Sequence, residues 1–176
     1  MRRHKLTIFT LIFMLLSFSI TFAQKHPGIK PKAEITRAAK AAVPHISVVD
    51  LKAKIDKGHK FYLIDVRSVP EYLAGHIQGA MNIPRGLMEF KIAKMIPDPN
   101  AEIVVYCKAS SRGSLTAKAM IDMGYKNVKD MMGGIKAWIK AKYPLYNNIL
   151  GKIRVLKFGA KEKRPNGNGL VNKLIN

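Results

Sequence analysis

Short apolar runs alternate with helical patterns through residues 46–142 of this chain. The runs at 61–64 and 103–106 are continuously apolar, as expected for strands that are covered on both faces. We predict strands at residues 46–48, 61–64, 80–83, 103–106 and 127–131, and helices at 49–57, 70–73, 87–95, 113–123 and 135–142. Strands that alternate with helices in this way predict an α/β fold with a mostly parallel central sheet and helices on both faces.

The first 23 residues have the pattern of a secretory signal peptide. A basic start, MRRHK, precedes an apolar run at 6–20 and the small-residue site Thr21-Phe22-Ala23. An uncleaved membrane anchor is the alternative, but 15 residues interrupted by Thr and Ser fall short of the roughly 20 that a spanning helix needs. We therefore expect cleavage after Ala23 and a periplasmic or secreted protein.

The chain is strongly basic, with 31 Lys and Arg against 11 Asp and Glu and a net charge of +20. Cleavage of the signal would remove three basic residues and no acids, which leaves +17. The excess is not concentrated in a nucleic-acid-binding motif. It therefore predicts solubility and weak contact with an anionic membrane surface, with no nucleic acid as a partner.

The chain after the signal is long enough for one domain with extensions. Residues 24–45 contain three prolines and mostly basic charges, which indicates a leader or linker that is at most partly helical. We place the domain at residues 46–145 and a basic C-terminal extension at 146–176, with a solvated tail from residue 151. Apolar pieces of this tail, at 153–158 and 170–175, could dock on the domain or on a membrane surface, and the sequence does not choose between them.

Cys107 is the only cysteine of the chain and cannot form an internal disulfide. A lone cysteine after an apolar run can be a buried small hydrophobe, a link between chains or a reactive thiol. Here it ends a predicted strand just before a predicted helix, where backbone N–H groups and the helix dipole favour a thiolate. The next residues are short or basic, so the backbone can approach an anion closely while Lys108 and Arg112 add positive charge. This setting favours the reactive thiol.

Three segments around Cys107 resemble the rhodanese family. They are LIDVRSVPEYLAGHIQGAMNIP at 63–84, VVYCKASSR at 104–112 and MGYKNVKDMMGGIKAWI at 123–139. The first resembles the family's Asp-Val-Arg to Asn-Ile-Pro signature, the second its active-site loop and the third its closing segment. The resemblance covers about residues 46–145, which is one single-domain rhodanese module, and it implies the α/β fold of that family.

The resemblance also implies sulfur transfer through a persulfide on Cys107, the catalytic residue. The donor would be a small anionic sulfur compound such as thiosulfate, and the acceptor a thiol or cyanide; a sulfur-accepting protein is a further candidate partner. The persulfide would be held by the backbone amides of the substrate-binding loop, with Arg112 orienting the donor. This loop consists of Lys108, Ala109, Ser110, Ser111, Arg112 and Gly113. No organic cofactor is implied.

Two features of the loop bear on alternatives. Four residues separate Cys107 from Arg112, whereas phosphatases of the same fold have five, so the shorter ring favours a sulfur atom over a phosphoryl group. Many active rhodaneses have glycine where Ser110 stands, and serine or alanine where Gly113 stands.

Two other functional hypotheses remain. One is a low-turnover sulfur carrier or oxyanion-binding module that serves a partner protein. The other is a module that only interacts with partners and has an unreactive Cys107.

The remaining charged residues of the signature have structural interpretations. Asp65, Arg67, Glu71 and His76 form a tempting charged cluster, but buried charges are generally paired, so we assign them to the support of the fold. The five histidines are scattered without ligand spacing, so we expect no metal.

Overall fold

A computed structural model describes residues 28–153 of the chain. The chain divides into two compact units, residues 1–32 and 33–176, of which the structure describes 28–32 and 33–153 respectively. The predicted signal peptide, the start of the leader and the extension beyond Ile153 lie outside the described residues.

The described chain alternates helices and strands from the leader onwards. The helices are α1 (Lys32–Ala41), α2 (Val48–Asp56), α3 (Val69–Ala74), α4 (Met88–Met95), α5 (Ser111–Asp122) and α6 (Gly134–Lys140), with a short 3₁₀ turn at Arg85–Leu87. The strands are β1 (His45–Ile46), β2 (Tyr62–Asp65), β3 (Met81–Asn82), β4 (Ile103–Tyr106), β5 (Val128–Met131), β6 (Leu145–Asn147) and β7 (Gly151–Ile153). None of the helices between residues 28 and 153 has the length and hydropathy that crossing a bilayer requires.

Five of the strands form one parallel sheet in the order β1-β5-β4-β2-β3. The strand β4 lies at the centre, and all four of its residues are buried. Alternate residues of β4 serve two apolar cores, because Val105 belongs to one core while Val104 and Tyr106 belong to the other. The helices α4 and α5 complete the first core with Met88, Ile92, Ala117 and Met120. The helices α2 and α6 complete the second core with Leu51, Ile135 and Trp138. The predicted α/β class, with a parallel sheet and helices on both faces, is confirmed.

Regular structure also extends into both predicted extensions. The helix α1 lies in the basic leader; its residue Ala39 is buried, and so is Val43, which follows the helix. At the other end, β6 and β7 form an antiparallel hairpin in which Leu145 pairs with Ile153. The sequence pattern does not predict this hairpin, because two strands of three residues each are too short to show alternation. Residues 151–153 are therefore a strand and not part of a solvated tail.

Candidate functional site

Cys107 lies immediately beyond the carboxyl end of β4, at the middle of the sheet edge. Its neighbours in the sheet are β5 and β2, and its side chain is buried in the first apolar core. Four residues later the chain is already helical, since α5 begins at Ser111. Ligands of open parallel sheets bind at this edge, so the predicted position of Cys107 agrees with the geometry of the fold.

The backbone of the loop after Cys107 has free donors. In the described part of the chain, none of the N–H groups of residues 108–113 donates a hydrogen bond, and the first that does is Ser114, whose N–H donates to the Ser110 carbonyl at 2.8 Å. A turn that leads into a helix leaves such groups unpaired, and an anion is their natural partner. The loop therefore offers six backbone donors within six residues of a buried thiol.

Ser110 holds the tightest bend of the loop. Its φ of 72° is in the left-handed region, which a residue with a side chain enters at a cost of roughly 1–2 kcal/mol. Its hydroxyl donates to the Met131 carbonyl at 3.1 Å and accepts from the Gly133 N–H at 3.1 Å. These two hydrogen bonds tie the loop to the end of β5, which explains how a serine occupies a position that favours glycine.

Gly134 lies directly against the backbone of the loop. Its φ is 58°, and a Cβ there would collide with the Cys107 carbonyl oxygen and crowd the Ala109 nitrogen. The next residues bind the loop, because the Ile135 N–H donates to the Cys107 carbonyl at 2.8 Å and the Lys136 N–H to the Lys108 carbonyl at 3.2 Å. The start of α6 thus fixes the two residues that begin the loop.

Arg112 is bound to an acid on another element. Its Nη1 donates to Glu71 Oε2 at 2.9 Å and its Nη2 to Glu71 Oε1 at 3.0 Å. Glu71 is itself oriented by Ser68, whose backbone N–H and hydroxyl both donate to Oε2. The hydrogen bond from Arg112 is the main cause that lowers the pKa of Glu71 to about 2. The structural assignment of Glu71 was therefore incomplete, since this residue neutralises the charge of the loop arginine.

Asp65 and Arg67 form a buried ion pair at the carboxyl end of β2. Arg67 Nη2 donates to Asp65 Oδ2 at 2.6 Å and to the Gly75 carbonyl at 2.7 Å. The His76 ring stacks on that of Tyr72 with 3.9 Å between ring centroids, and its Nδ1 is 3.1 Å from the Tyr72 carbonyl. These contacts are those of fold support.

Asp130 is a site residue that the sequence analysis missed. It lies on β5 with 0% exposure, and its Oδ2 accepts from the Ser114 hydroxyl at 2.7 Å. Burial raises the pKa of Asp130, while the hydrogen bond from Ser114, the nearby Ser110 hydroxyl and the charges of His45 and Lys40 oppose that rise. The available signal was an acid among apolar residues of a buried strand, but only the three-dimensional register shows that it lies beneath the loop.

The predicted loop residues are together but differ in exposure. Ser110 and Gly113 are buried, Lys108, Ser111 and Arg112 are half-buried, and Ala109 is exposed. Solvent therefore reaches the loop mainly at Ala109, and partly at Lys108, Ser111 and Arg112.

Comparison with known proteins identifies the family. A sequence model of the rhodanese-like domain matches residues 47–141. The putative sulfur carrier protein YrkF of Bacillus subtilis is 31% identical over 98 residues, which are 56% of this chain and 52% of that protein. The thiosulfate sulfurtransferase PspE of Escherichia coli is 38% identical over 73 residues, which are 42% of this chain and 69% of that protein.

Solved structures share the fold. A protein from Rhodopseudomonas palustris, described as a possible tyrosine phosphatase, superposes with a TM-score of 0.60 at 28% identity, covering 66% of this chain and 94% of that one. The present chain spans about half the length of the Bacillus subtilis relative. The family match extends over more than half of the chain and contains Cys107, its loop and the Gly133-Gly134 segment that fixes the loop. The chain therefore belongs to the rhodanese family, among relatives that are sulfurtransferases and sulfur carriers.

Proposed function

We propose that this protein is a sulfurtransferase in which Cys107 carries the sulfur as a persulfide. The observation that carries the proposal is the set of six unpaired backbone N–H groups at residues 108–113, beside a buried thiol at the start of α5. Such donors stabilise a negative charge on sulfur without requiring a charged side chain. The name of the Escherichia coli relative, a thiosulfate sulfurtransferase, supports the same reaction class.

The reaction has two substitutions at sulfur. In the first, the Cys107 thiolate attacks the outer sulfur of the donor, the donor's sulfur–sulfur bond breaks, and the rest of the donor leaves with the electron pair. In the second, a thiol or cyanide attacks the outer sulfur of the persulfide, and Cys107 leaves as the thiolate. Two electrons move with each bond, so neither step needs an external oxidant or reductant.

The loop residues take distinct parts in this scheme. The amides of residues 108–113 hold the outer sulfur, and Ser110 and the Gly133-Gly134 segment keep the loop in the required shape. Arg112 acts mainly through its ion pair with Glu71, which anchors the loop to α3. Lys108, which is half-buried, remains to attract an anionic donor.

A low-turnover sulfur carrier is the second candidate. The Bacillus subtilis relative is described as a putative sulfur carrier. Because the chain contains a single cysteine, the persulfide must be released by an external acceptor, and a partner protein can provide that thiol.

Phosphatase chemistry fits less well. The loop has four residues between Cys107 and Arg112, one fewer than a phosphoryl-binding loop of this fold, and Arg112 is already bound by Glu71. Glu71 uses two of the five N–H donors of the Arg112 guanidinium and neutralises its charge, so this arginine stabilises a phosphoryl dianion less well than an unpaired arginine would.

Export completes the proposal. The basic start, apolar run and small-residue site of the first 23 residues support secretion or a periplasmic location, with cleavage after Ala23. Mass measurement of the N-terminus of the protein recovered from the expressing cells would test this directly.

The function is tested with purified protein and its Cys107→Ser variant. Sulfur transfer to cyanide is followed with thiosulfate and with a small organic persulfide, and mass spectrometry detects the addition of one sulfur atom. Turnover and the adduct should both vanish in Cys107→Ser. An adduct without turnover would favour the carrier, hydrolysis of an aryl phosphate would favour a phosphatase, and neither adduct nor turnover would contradict both sulfur hypotheses.

A further inference from the structure

A buried carboxylate lies beneath the sulfur-carrying loop. Asp130 is fully buried, its Oδ2 accepts from Ser114, and within residues 28–153 no donor bonds to its Oδ1. Solvent screens a buried charge much less than a surface charge. The negative charge of Asp130 therefore acts on any charge that Cys107 and its substrate bring into the site.

The sheet register places Asp130 on the same face as Cys107. Asp130 pairs with Val105 of β4, and Cys107 follows Val105 by two residues, so the two side chains point to the same face. Val105, Cys107 and Val128 all belong to the first apolar core, which identifies that face. Neighbouring strands lie about 4.8 Å apart and two residues along a strand span about 6.6 Å, so side chains placed in this way are about 8 Å apart, which is well within the range of an unscreened charge.

Gly113 leaves the space that this carboxylate occupies. A Cβ at residue 113 would collide with Asp130 Oδ1. The position lies in the first turn of α5, where a glycine contributes nothing to helix stability. The missing side chain is therefore explained by the acid behind it, and both residues belong to one arrangement.

The cations near Asp130 compensate its charge only in part. His45 Nδ1 is 3.7 Å from Oδ2, and the charge of Lys40 also acts on the carboxylate. Both are reached by solvent, with Lys40 exposed and the His45 side chain 27% exposed, so water weakens their effect inside the site. Of the two loop cations, Arg112 is neutralised by Glu71, while Lys108 has no acidic partner in the described part of the chain.

We propose that Asp130 makes the Cys107 site discriminate against dianionic sulfur donors, so that the preferred donor is a persulfide or polysulfide with at most one negative charge at the reacting end. This rests on the proposed function, because it concerns the first sulfur transfer to Cys107. With such a donor the Cys107 thiolate attacks the outer sulfur of R–S–SH, forms Cys107–S–SH and releases R–S⁻. With thiosulfate the same attack releases sulfite, but a second negative charge must approach Asp130.

The expected discrimination follows from that one extra charge. A unit charge about 8 Å from Asp130, at an effective dielectric constant of about 20 to 40, changes a rate by about five- to thirtyfold. Replacing Asp130 by the neutral and nearly isosteric asparagine keeps an acceptor for the Ser114 hydroxyl and removes the repulsion between residue 130 and the donor.

The test compares kcat/KM for thiosulfate and for 2-hydroxyethyl persulfide, with cyanide as acceptor, in the full-length protein and in Asp130→Asn. We expect kcat/KM for thiosulfate to rise in Asp130→Asn by about tenfold more than kcat/KM for the persulfide, because thiosulfate carries one more negative charge. Asp122→Asn is the matched control, because Asp122 is an exposed acid at the last residue of α5, about 14 Å along the helix from Gly113. It should leave the ratio of the two constants unchanged.

A second measurement is independent of sulfur chemistry. Cys107 is alkylated with neutral iodoacetamide and with anionic iodoacetate, and the ratio of the two rates reports the field at the thiol. In Asp130→Asn this ratio should shift about tenfold in favour of iodoacetate. If Asp130→Asn does not fold, Asp130→Ser removes the same charge and retains a hydroxyl.

The outcomes separate the two proposals. Ratios that stay within twofold of the wild type, in a variant that turns over and is alkylated normally, would overturn the role of Asp130 and leave the sulfurtransferase intact. Absence of turnover with both donors in the wild type would refute the proposed function and donor discrimination with it. A parallel rise with both donors would show that Asp130 acts on the Cys107 thiolate itself and not on the charge of the donor, and would also overturn the proposal.

Discussion

Ser110 gives the sharpest test of how the loop is held. Its φ of 72° favours glycine, yet its hydroxyl makes two hydrogen bonds, to the Met131 carbonyl and from the Gly133 N–H. Ser110→Ala keeps the unfavourable φ and loses both hydrogen bonds. Ser110→Gly loses the same hydrogen bonds but accepts the left-handed conformation without steric cost.

The expected magnitudes follow from these contacts. Each hydrogen bond contributes about 1 kcal/mol net, and leaving its buried partner unpaired adds to the loss, so Ser110→Ala should destabilise the protein by about 2–3 kcal/mol. Ser110→Gly recovers about 1 kcal/mol of conformational cost and should destabilise by about 1–2 kcal/mol. The predicted order of stability is Ser, then Gly, then Ala.

Ser111 is a matched control in the next position. It is the first residue of α5, in the right-handed region, so alanine should be tolerated there and glycine should cost up to about 1 kcal/mol. The order of Gly and Ala should therefore be reversed between the two neighbouring serines. Urea unfolding followed by the fluorescence of Trp138, the only tryptophan and a buried one, gives the four free energies. If Ala is no worse than Gly at residue 110, the hydroxyl and not the backbone determines the cost, and the reasoning from φ is wrong.

Two further predictions concern the contacts around the loop. Gly134→Ala should destabilise the protein by roughly 2 kcal/mol or more beyond the cost of Gly58→Ala, because both residues have a positive φ but only residue 134 lies against the loop backbone. Urea unfolding measures both costs, and equal costs would contradict the close approach. In the wild type, the ion pair of Glu71 with Arg112 stabilises the folded protein above pH 4.5, and this stabilisation is lost as the pH falls towards about 2, because the folded-state pKa of Glu71 is lowered from 4.5 to about 2. Glu71→Gln should remove this stabilisation. With the Glu71 and Arg112 side chains 26% and 38% exposed, solvent screening limits the effect to about 1–2 kcal/mol. Thermal unfolding of both proteins from pH 2 to 7 measures it, and a constant difference over that range would contradict the assignment.

Local patterns predicted the sheet and the position of Cys107. The apolar run at 103–106 corresponds to β4 residue for residue, and the other predicted strands and helices differ from the observed ones by a few residues at their ends. A run of four consecutive apolar residues indicates a strand buried on both faces, and this inference needs only the run itself and not the fold. The thiol then had to lie at the carboxyl edge of a parallel sheet, because that is where the residue after a strand lies.

Contacts between distant segments were not available from such patterns. Glu71 and Arg112 are 41 residues apart in the chain, and Asp130 reaches the loop only through the pairing of β4 with β5. The positive φ of Ser110 is also hard to predict from the sequence. The hydrogen bonds that hold the Ser110 side chain are made with Met131 and Gly133, which lie more than 20 positions away in the chain. Partners of this kind depend on register, which single-sequence periodicity does not specify.

The charge of the site illustrates why these contacts matter for function. A count of side chains assigns the loop two positive charges and the whole chain +20, which together favour any anionic donor. The long-range field acts on the encounter and raises the local concentration of all anions alike, and salt screens it. Choice among anions is made at contact distance, where Glu71 neutralises Arg112 and Asp130 opposes a second negative charge. A strongly basic protein and a site that prefers donors of low charge are therefore compatible, because the two properties arise from different charges acting over different distances.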